Sequence, residues 1–320
     1  MGKKKNIRQQ LRNELHRQFK DARGRSRHVD KKQRETHAIH DRIYGRASLK
    51  THLSRIDQLE KWLKQQHPEV HNLNQISRDL VGEYLKFQED RGRSAWTVSA
   101  DIAAINHVMI GSGKWDKSIS KSDYGLRQRR QQEIKNNRGE TRWKQEGRGS
   151  ESTYEKELEY GRAFGLRRSE LVGNNSQHAR ASTASLYRTP DGRLHNVTIG
   201  KGGRYRTSEC LASYQKIVEE RYKPYIQNVT VLPDRETFLE RYKDSEDFFK
   251  SISRSVRIHH ECRQYYAEEK LKELQRENRC QSGQNFKCNN VLLDKGQALF
   301  VSNQLGHNRL DVLKSYVGLE

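Results

Sequence analysis

Residues 183–207 read TASLYRTPDGRLHNVTIGKGGRYRT. Three short runs in this stretch, Thr183–Tyr187, Leu194–Ile199 and Arg204–Thr207, carry the β-branched, aromatic and aliphatic residues that are typical of strands. Two turns separate these runs, at Pro190-Asp191-Gly192 and at Gly200-Lys201-Gly202-Gly203. Connections this short join antiparallel neighbours, so the stretch predicts a small antiparallel β-sheet.

The chain on both sides of this sheet is predicted to be helical. A helical stretch precedes the sheet, and after Leu211 the pattern returns to helix, with turns near Pro224 and Pro233. The last part, residues 297–320, indicates two short helices that are broken at Gly306. We therefore expect residues 151–320 to form one mainly α domain with a small antiparallel sheet, an α+β fold.

Residues 46–112 predict a separate, all-α domain. Aliphatic residues recur with the helical period from Leu49 to Leu63. Ser77 is a candidate N-cap for a second helix, and a third helix should end at Gly111. Three helices of this size can bury one common core.

Two basic segments flank this helical domain. Residues 1–45 hold single hydrophobic residues at helical spacing between Ile7 and Phe19, so two interpretations stay open: a disordered basic arm, or a helix that forms on DNA. Residues 113–150 are rich in charge and poor in aliphatic side chains, as expected of an exposed basic linker between domains.

The composition indicates a polyanionic partner. The 320 residues include 62 Lys and Arg against 41 Asp and Glu, a net charge of +21 that is spread along the chain. Such a surplus favours nucleic acid over a merely solvated basic surface. We expect no membrane span and no secretory signal, because no apolar run is long enough for either. The four cysteines form no CxxC pair, which fits a reducing cytoplasm.

Several common catalytic sites are missing from the sequence. No GxxxxGK[ST] loop is present, so hydrolysis of ATP or GTP is not expected. His260-Glu261 begins an HExxH pattern, but Gln264 occupies the place of its second histidine. The sequence shows no obvious cluster of carboxylates of the kind that a two-metal nuclease needs. We expect neither a metal nor a cofactor.

Four short motifs remain, and they share basic side chains and one tyrosine. In chain order they are Gly165-Leu-Arg-Arg-Ser-Glu-Leu171, Gly200-Lys-Gly-Gly203, His260-Glu-Cys-Arg263, and Leu305-Gly-His307 followed nine residues later by Tyr316. Each motif alone is a weak signal in so basic a chain, and the last is the most specific. Together, in this order and behind a basic helical domain, they resemble the tyrosine recombinase (phage integrase) family.

The resemblance covers about residues 155–320 and implies a site-specific DNA recombinase or integrase. Such an enzyme cleaves and rejoins DNA through a 3′-phosphotyrosyl intermediate. The resemblance further implies that residues 46–112 are a core-binding domain, that the two domains clamp double-stranded DNA, and that residues 1–45 bind flanking sites. It also implies a homotetramer on two duplexes, accessory DNA-bending proteins, and a phage or integrative mobile element as the source.

The chemistry of the motif residues agrees with this resemblance. Cleavage of a phosphodiester needs a nucleophile, stabilisation of charge and a proton donor. Tyr316 can supply the attacking oxygen, and the planar guanidiniums of Arg167 and Arg263 can grip phosphate oxygens. Lys201 on its glycine-rich turn can protonate the leaving 5′ oxygen. The remaining predicted site residues are two imidazoles for proton transfer or phosphate binding and a supporting carboxylate, His260, His307 and Glu170.

Two features depart from the family pattern. The 43 residues between Arg263 and His307, positions 264–306, are more than the resemblance predicts and indicate an insertion. Only residues 317–320 follow the tyrosine, whereas family members often exchange a longer C-terminal segment between neighbours.

Two alternatives stay open at this point. One is a non-catalytic DNA-binding or architectural protein that keeps the recombinase fold, and the other is a helical nucleic-acid-binding module of unrelated fold. Both account for the net charge. Neither requires Tyr316 to lie beside Arg167 and Arg263, whereas the recombinase interpretation does.

Overall fold

A computed structural model describes residues 6–25, 27–35, 38–128, 155–173, 180–200, 203–249 and 261–318 of the chain. The chain divides into two compact units, residues 1–133 and 134–320. Within the described residues, every helix is too short or too polar to cross a membrane.

The first unit is built from helices, as residues 46–112 predict. The α-helices described are α1 (Ile7–Asp21), α2 (Arg27–Gln33), α3 (Arg46–Gln66), α4 (Arg78–Asp90) and α5 (Ala95–Gly111), and two short 3-10 helices are Leu73–Gln75 and Ser122–Tyr124. Ser77 caps α4 as expected, because its hydroxyl accepts a hydrogen bond from the Leu80 amide at 3.1 Å. Most of the periodic aliphatic residues of α3 are buried in one core with apolar side chains from α1, α4 and α5.

Residues 7–21 form helix α1 of the first unit, whereas one interpretation of residues 1–45 was a disordered basic arm. Leu11 and Leu15 of α1 are 1% and 0% exposed, and α1 packs against α3 and α5. The Gln18 side chain also donates a hydrogen bond to the His107 carbonyl oxygen. The helical spacing of the hydrophobic residues therefore serves the core of the first unit, and α1 belongs to that unit.

The expected linker at residues 113–150 also begins later than predicted. Ile119 and Leu126 are buried in the core of the first unit. The Asn106 side chain donates to the Ile119 carbonyl oxygen and accepts from the Ile119 amide, both at 2.9 Å. The chain thus stays on the first unit beyond α5, while residues 129–150 of the predicted linker lie outside the described residues.

Three histidines of the first unit form a partly buried cluster. The ring centroid of His107 lies 4.5 Å from that of His52 and 5.6 Å from that of His40. Burial, reinforced by the two neighbouring imidazoles, lowers the pKa of His107 to about 3. The folded unit therefore keeps His107 neutral at pH values where the unfolded chain binds a proton to it.

The second unit combines helices with a small sheet, which confirms the predicted mainly α fold class. Helices α6 (Glu155–Phe164) and α7 (Arg168–Leu171) precede three strands, β1 (Leu186–Arg188), β2 (Leu194–Gly200) and β3 (Arg204–Glu209). As predicted, β1 and β2 pair antiparallel, and so do β2 and β3.

A fourth strand makes this sheet mixed instead of wholly antiparallel. Strand β4 (Gln227–Asn228) runs parallel to β1 at the edge of the sheet. The chain reaches it through helix α8 (Ala212–Tyr222), and a helical crossover of this kind allows two strands to run in the same direction.

The remaining elements complete the second unit. Helix α9 (Arg235–Lys243) is followed by α10 (Glu261–Arg276), a hairpin of β5 (Asn285–Cys288) and β6 (Val291–Asp294), and α11 (Lys295–Gln304). The predicted break at Gly306, whose φ is +73°, separates α11 from a C-terminal 3-10 helix, Leu310–Ser315. The predicted insertion at 264–306 therefore consists of most of α10, the hairpin and α11.

The histidine cluster should make the stability of the first unit depend on pH. The stabilisation from a lowered histidine pKa is present above pH 6.5 and is lost as the pH falls towards the folded pKa. The free energy of unfolding should fall by about 1–2 kcal/mol between pH 7.5 and pH 5. Urea unfolding followed by tryptophan fluorescence measures this, because Trp62, Trp96 and Trp115 belong to this unit.

His107→Gln should remove much of this pH dependence, because the amide keeps a polar group but does not titrate. His16→Gln, at an exposed position of α1, is the matched control and should unfold like the wild type at both pH values. A pH dependence that is unchanged in His107→Gln would contradict the prediction.

Candidate active site

A buried carboxylate, Glu170, lies at the centre of the site. Helix α7 begins just after Arg167, and Glu170 Oε2 accepts a hydrogen bond from the Arg167 amide at 2.8 Å, which caps the helix. The same carboxylate pairs with three guanidiniums, at 2.6 Å from Arg167 Nη1, 2.8 Å from Arg206 Nη2 and 3.8 Å from Arg263 Nη1. Glu170 is 0% exposed. One carboxylate thus fixes side chains from three separate segments of the second unit.

The charge of this cluster follows from its geometry. Burial alone would raise the pKa of Glu170, but the charges of Arg206, Arg263 and Arg167 outweigh burial and lower that pKa to about 2. The carboxylate is therefore ionised at physiological pH. Three guanidiniums around one carboxylate leave an excess of positive charge, which suits an anionic ligand.

Arg206 is a member of the cluster that the sequence motifs did not single out. It lies in β3, is 4% exposed, and donates from Nη2 to the Gly165 carbonyl oxygen at 3.2 Å as well as to Glu170. Its Nη1 donates to the Gln304 carbonyl oxygen at the end of α11. The alternation of β3 places Arg206 and Ser208 on the buried face, but a polar buried face gives no hydrophobic pattern to detect.

Arg263 reaches the cluster from α10. It is 0% exposed, and its Nη2 donates to the Leu305 carbonyl oxygen and lies 3.0 Å from His307 Nε2. Burial, together with repulsion from Arg206 and Arg167, lowers the pKa of Arg263 to about 10, so the guanidinium stays charged at neutral pH. Among the described residues, no acceptor forms a hydrogen bond with its Nε or Nη1. Two donors of a buried cation are thus left without an acceptor, which is costly unless a ligand or another group supplies one.

His307 lies in the turn after α11, beside these guanidiniums. Burial, followed by the charges of Arg263, Arg167 and Arg204, lowers the pKa of His307 to about 3, so its imidazole is neutral at physiological pH. A guanidinium has no acceptor atom, so His307 Nε2 accepts the hydrogen bond from Arg263 and the ring proton lies on Nδ1. Neutral His307 can therefore donate one hydrogen bond from Nδ1.

Tyr316 follows the C-terminal 3-10 helix and lies against the same group. Its ring centroid is 6.2 Å from that of His307 and 5.6 Å from the guanidinium carbon of Arg263. Tyr316 is 6% exposed and packs with Leu313 and Val317 in an apolar cluster. The phenol thus has both an imidazole and a guanidinium as neighbours.

The glycine-rich turn after β2 also begins at this cluster. A Cβ atom on Gly200 would lie only 2.7 Å from Glu170 Oε1 and 3.5 Å from Arg167 Nη1, so a glycine is needed for β2 to approach this closely. Lys201, the next residue, lies outside the described residues. His260, which precedes the first residue of α10, also lies outside them.

The second unit thus brings together five of the seven side chains named from the motifs and adds a sixth. The five are Arg167, Glu170, Arg263, His307 and Tyr316, and the sixth is Arg206. The arrangement can hold an oxyanion beside a phenol. In the part of the chain that the structure describes, no group of three His, Cys, Asp or Glu side chains is placed to bind a metal ion.

No family model matches the sequence, and no curated protein matches it. Some solved structures are similar to the chain over almost its whole length. One is the XerH site-specific recombinase bound to its difH substrate in a pre-cleavage complex, with 98% of this chain and 91% of that chain covered, a TM-score of 0.48 and 12% identity. Another is the Tn1549 transposon integrase in complex with a circular intermediate DNA, with 98% and 96% covered, a TM-score of 0.41 and 12% identity.

Removal of the Glu170 charge should destabilise the second unit. Glu170→Gln leaves Arg206 and Arg263 buried without their carboxylate, and a buried ion pair broken in this way costs about 3–5 kcal/mol. Urea unfolding of the full chain, followed by circular dichroism, measures the loss.

The matched control is Glu220→Gln. Glu220 pairs with Lys216 at 4.0 Å on the surface of the same unit, so its replacement should change the free energy of unfolding by less than about 1 kcal/mol. Similar effects of the two substitutions would show that Glu170 does not hold the cluster together.

Proposed function

We propose that this chain is a tyrosine recombinase, which breaks and rejoins double-stranded DNA through a covalent phosphotyrosine. The observation that carries the proposal is that Arg167 and Arg263 pair with the buried carboxylate of Glu170, while His307 and Tyr316 lie against Arg263. These residues come from three motifs that lie far apart in the sequence. A protein that only binds DNA needs basic side chains, but it does not need a tyrosine among them.

In the proposed cleavage step, the Tyr316 hydroxyl oxygen attacks the phosphorus of a DNA phosphodiester. A bond forms between the tyrosine oxygen and the 3′ phosphate, and the bond between phosphorus and the 5′ oxygen breaks. The phenol proton passes to a base, and the departing 5′ oxygen takes up a proton. The phosphotyrosine conserves the energy of the broken bond, so a 5′ hydroxyl of another strand can reverse the step and rejoin the DNA.

The guanidiniums have the role of stabilising the charge that develops on the phosphate. Arg263 offers donors that no described residue accepts, and Arg167 is fixed by its 2.6 Å hydrogen bond to Glu170. Because a buried carboxylate sets their positions in advance, little reorganisation is needed as the charge develops. Neutral His307 adds a hydrogen bond from Nδ1 to a phosphate oxygen. Arg206 supports the cluster through its hydrogen bonds to Glu170 and to the Gly165 carbonyl oxygen.

Two further roles rest on the resemblance to tyrosine recombinases. Lys201 is the proposed proton donor to the leaving 5′ oxygen. His260 is proposed to assist the cleavage step as an acid or a base. The close approach of Gly200 to Glu170 supports the first role, because Lys201 is the next residue. His260 adjoins Glu261, the first residue of the helix that carries Arg263.

The finer parts of the proposal concern the assembly and its source. A homotetramer on two duplexes, accessory DNA-bending proteins and a phage or other integrative mobile element all follow from the resemblance alone. The net charge of +21 supports DNA as the partner of this chain.

Tyr316→Phe should abolish covalent attachment of the chain to DNA, because the attacking oxygen is lost. The probe is a pool of nicked duplex fragments from the genome that encodes the chain. When the nick lies close to the cleavage site, attack by the tyrosine releases a short strand. Loss of this strand prevents rejoining and so traps the covalent adduct. Precipitation with detergent isolates the adduct, and mass spectrometry identifies the residue that carries the nucleotide.

Tyr225→Phe is the matched control, because it removes the hydroxyl of a 42% exposed tyrosine from the same unit. It should form as much adduct as the wild type. The proposal fails if the wild type forms no adduct or if Tyr316→Phe forms an equal amount. Tight DNA binding without any adduct would favour the non-catalytic DNA-binding protein.

A basic groove on the first unit supports DNA as the ligand. Side chains of α1 and α3 line the groove, and the exposed cations Arg46, Lys50 and Lys61 lie along it. Asp57 in the same groove pairs with Arg12 at 2.6 Å. Such a groove is suited to contacts with the sugar-phosphate backbone, which position a protein on a duplex.

The affinity for duplex DNA should fall steeply with salt, because most of the proposed contacts are with phosphates. We expect Kd to rise by about a hundredfold or more between 50 and 200 mM NaCl. Fluorescence anisotropy with a labelled duplex measures this. The double variant Lys50→Gln, Lys61→Gln should bind more weakly and with a shallower salt dependence.

Lys216→Gln is the control for this experiment. Lys216 is 89% exposed but lies in the second unit and within 4.0 Å of Glu220, so its loss should leave the salt dependence as it is. A nearly flat salt dependence of the wild type would contradict binding through phosphates.

A further inference from the structure

The hairpin of β5 and β6, within the predicted insertion, contacts the segment that carries Tyr316. Asn289, the first residue of its turn, donates from Nδ2 to the Lys314 carbonyl oxygen at 3.0 Å and to the Val317 carbonyl oxygen at 2.7 Å. One of these carbonyls precedes Tyr316 in the chain and the other follows it. A single side-chain amide therefore bridges the backbone on both sides of the proposed nucleophile.

The hairpin itself is firmly placed in the second unit. Cys288 is 0% exposed and belongs to the same apolar cluster as Tyr316. At the other end of the hairpin, Asp294 accepts a hydrogen bond from the Gly296 amide at 2.8 Å, which ties β6 to the start of α11. The chain after Tyr316 lies so close that a Cβ on Gly318 would be 3.1 Å from the Cys288 carbonyl oxygen. The turn can thus act as a fixed support.

Asn289 has two separate properties: a left-handed backbone conformation that the turn needs, and a side-chain amide that donates hydrogen bonds. Its φ of +52° lies in the left-handed region, which asparagine and glycine adopt at less cost than other residues. Glycine would serve the turn equally well, but it has no amide to donate. The backbone of the turn and the two side-chain hydrogen bonds can therefore be tested independently.

We propose that Asn289 is a positioning residue for Tyr316, and that the hairpin holds the tyrosine beside Arg263 and His307. This inference rests on the proposed function, because it assigns a role in the cleavage step. Attack on phosphorus requires the tyrosine oxygen to be in line with the leaving oxygen, and a misplacement of about 1 Å can cost about a hundredfold in rate. The hairpin thus sets the rate of cleavage and leaves the affinity for DNA unchanged.

Asn289→Gly removes the amide and keeps the left-handed turn. In the full chain with the nicked DNA fragments, the first-order rate of adduct formation at saturating DNA should fall about tenfold or more. The Kd for the same DNA should stay within about twofold. This division between rate and affinity distinguishes a positioning residue from a residue that contacts DNA.

Amide hydrogen exchange, followed by mass spectrometry, gives a second readout that needs no activity. The amides of Tyr316 and Val317 bond the Leu313 carbonyl oxygen at 2.8 and 2.9 Å. They should exchange faster in Asn289→Gly than in the wild type, because the segment has lost its support from the hairpin.

The chain offers a matched control in Asn278. Its φ is +51°, and its side chain accepts a hydrogen bond from Gln281 at 3.2 Å, away from the C-terminal segment. Asn278→Gly should keep the wild-type rate and exchange. Asn289→Asp keeps the size of the side chain but presents a carboxylate that only accepts hydrogen bonds, so it should slow adduct formation at least as much as glycine does.

The outcomes separate this inference from the proposed function. A wild-type rate and wild-type exchange in Asn289→Gly would overturn the inference, as would a change in Kd that accounts for the slower rate. Global unfolding of Asn289→Gly would also overturn it, because Asn289 would then support the whole unit. Faster exchange in Asn289→Gly, combined with no adduct in the wild type, would uphold the support of the segment and reject the proposed function.

Discussion

The pairing of one buried carboxylate with three guanidiniums is the interaction on which the site of the second unit depends. A lone carboxylate as deeply buried as Glu170 would cost several kcal/mol, and the same holds for the buried guanidiniums of Arg206 and Arg263. Each charge is tolerated because the others are present. The start of α7, strand β3 and helix α10 are therefore joined by the same ion pairs that form the site.

This arrangement also determines what the site can do. Burial, reinforced by the surplus of positive charge, lowers the pKa of His307 and keeps its imidazole neutral, while two nitrogens of Arg263 have no hydrogen-bond acceptor among the described residues. A neutral hydrogen-bond donor and fixed cations around an anion stabilise developing negative charge without rearrangement. Tyr316 completes the group from the C-terminal segment, and the hairpin that carries Asn289 supports that segment.

The sequence predicted the parts of this structure that local patterns determine. The period of α3, the cap at Ser77 and the turns between β1, β2 and β3 are all local. The motifs that contribute residues to the proposed site are short local patterns as well. The parallel strand β4 was missed because its pairing depends on a helical crossover, and the packing of α1 could not be decided from spacing alone. Arg206 was missed because a charged residue on a buried strand face has no hydrophobic signature. The catalytic roles of the motif residues, Lys201 and His260 among them, remain predictions.

The proposed cleavage step requires Tyr316 and the guanidiniums to act on the same phosphorus atom. Vanadate adopts the trigonal bipyramidal geometry of that phosphorus in the transition state, so a crystal structure of the chain with cleaved duplex DNA and vanadate shows which side chains contact this atom. We expect a vanadium atom bonded to the Tyr316 hydroxyl oxygen, with Arg167, Arg263 and His307 donating hydrogen bonds to its equatorial oxygens. Vanadium bonded to a different side chain, or bound away from Glu170 and its arginines, would contradict the proposed step.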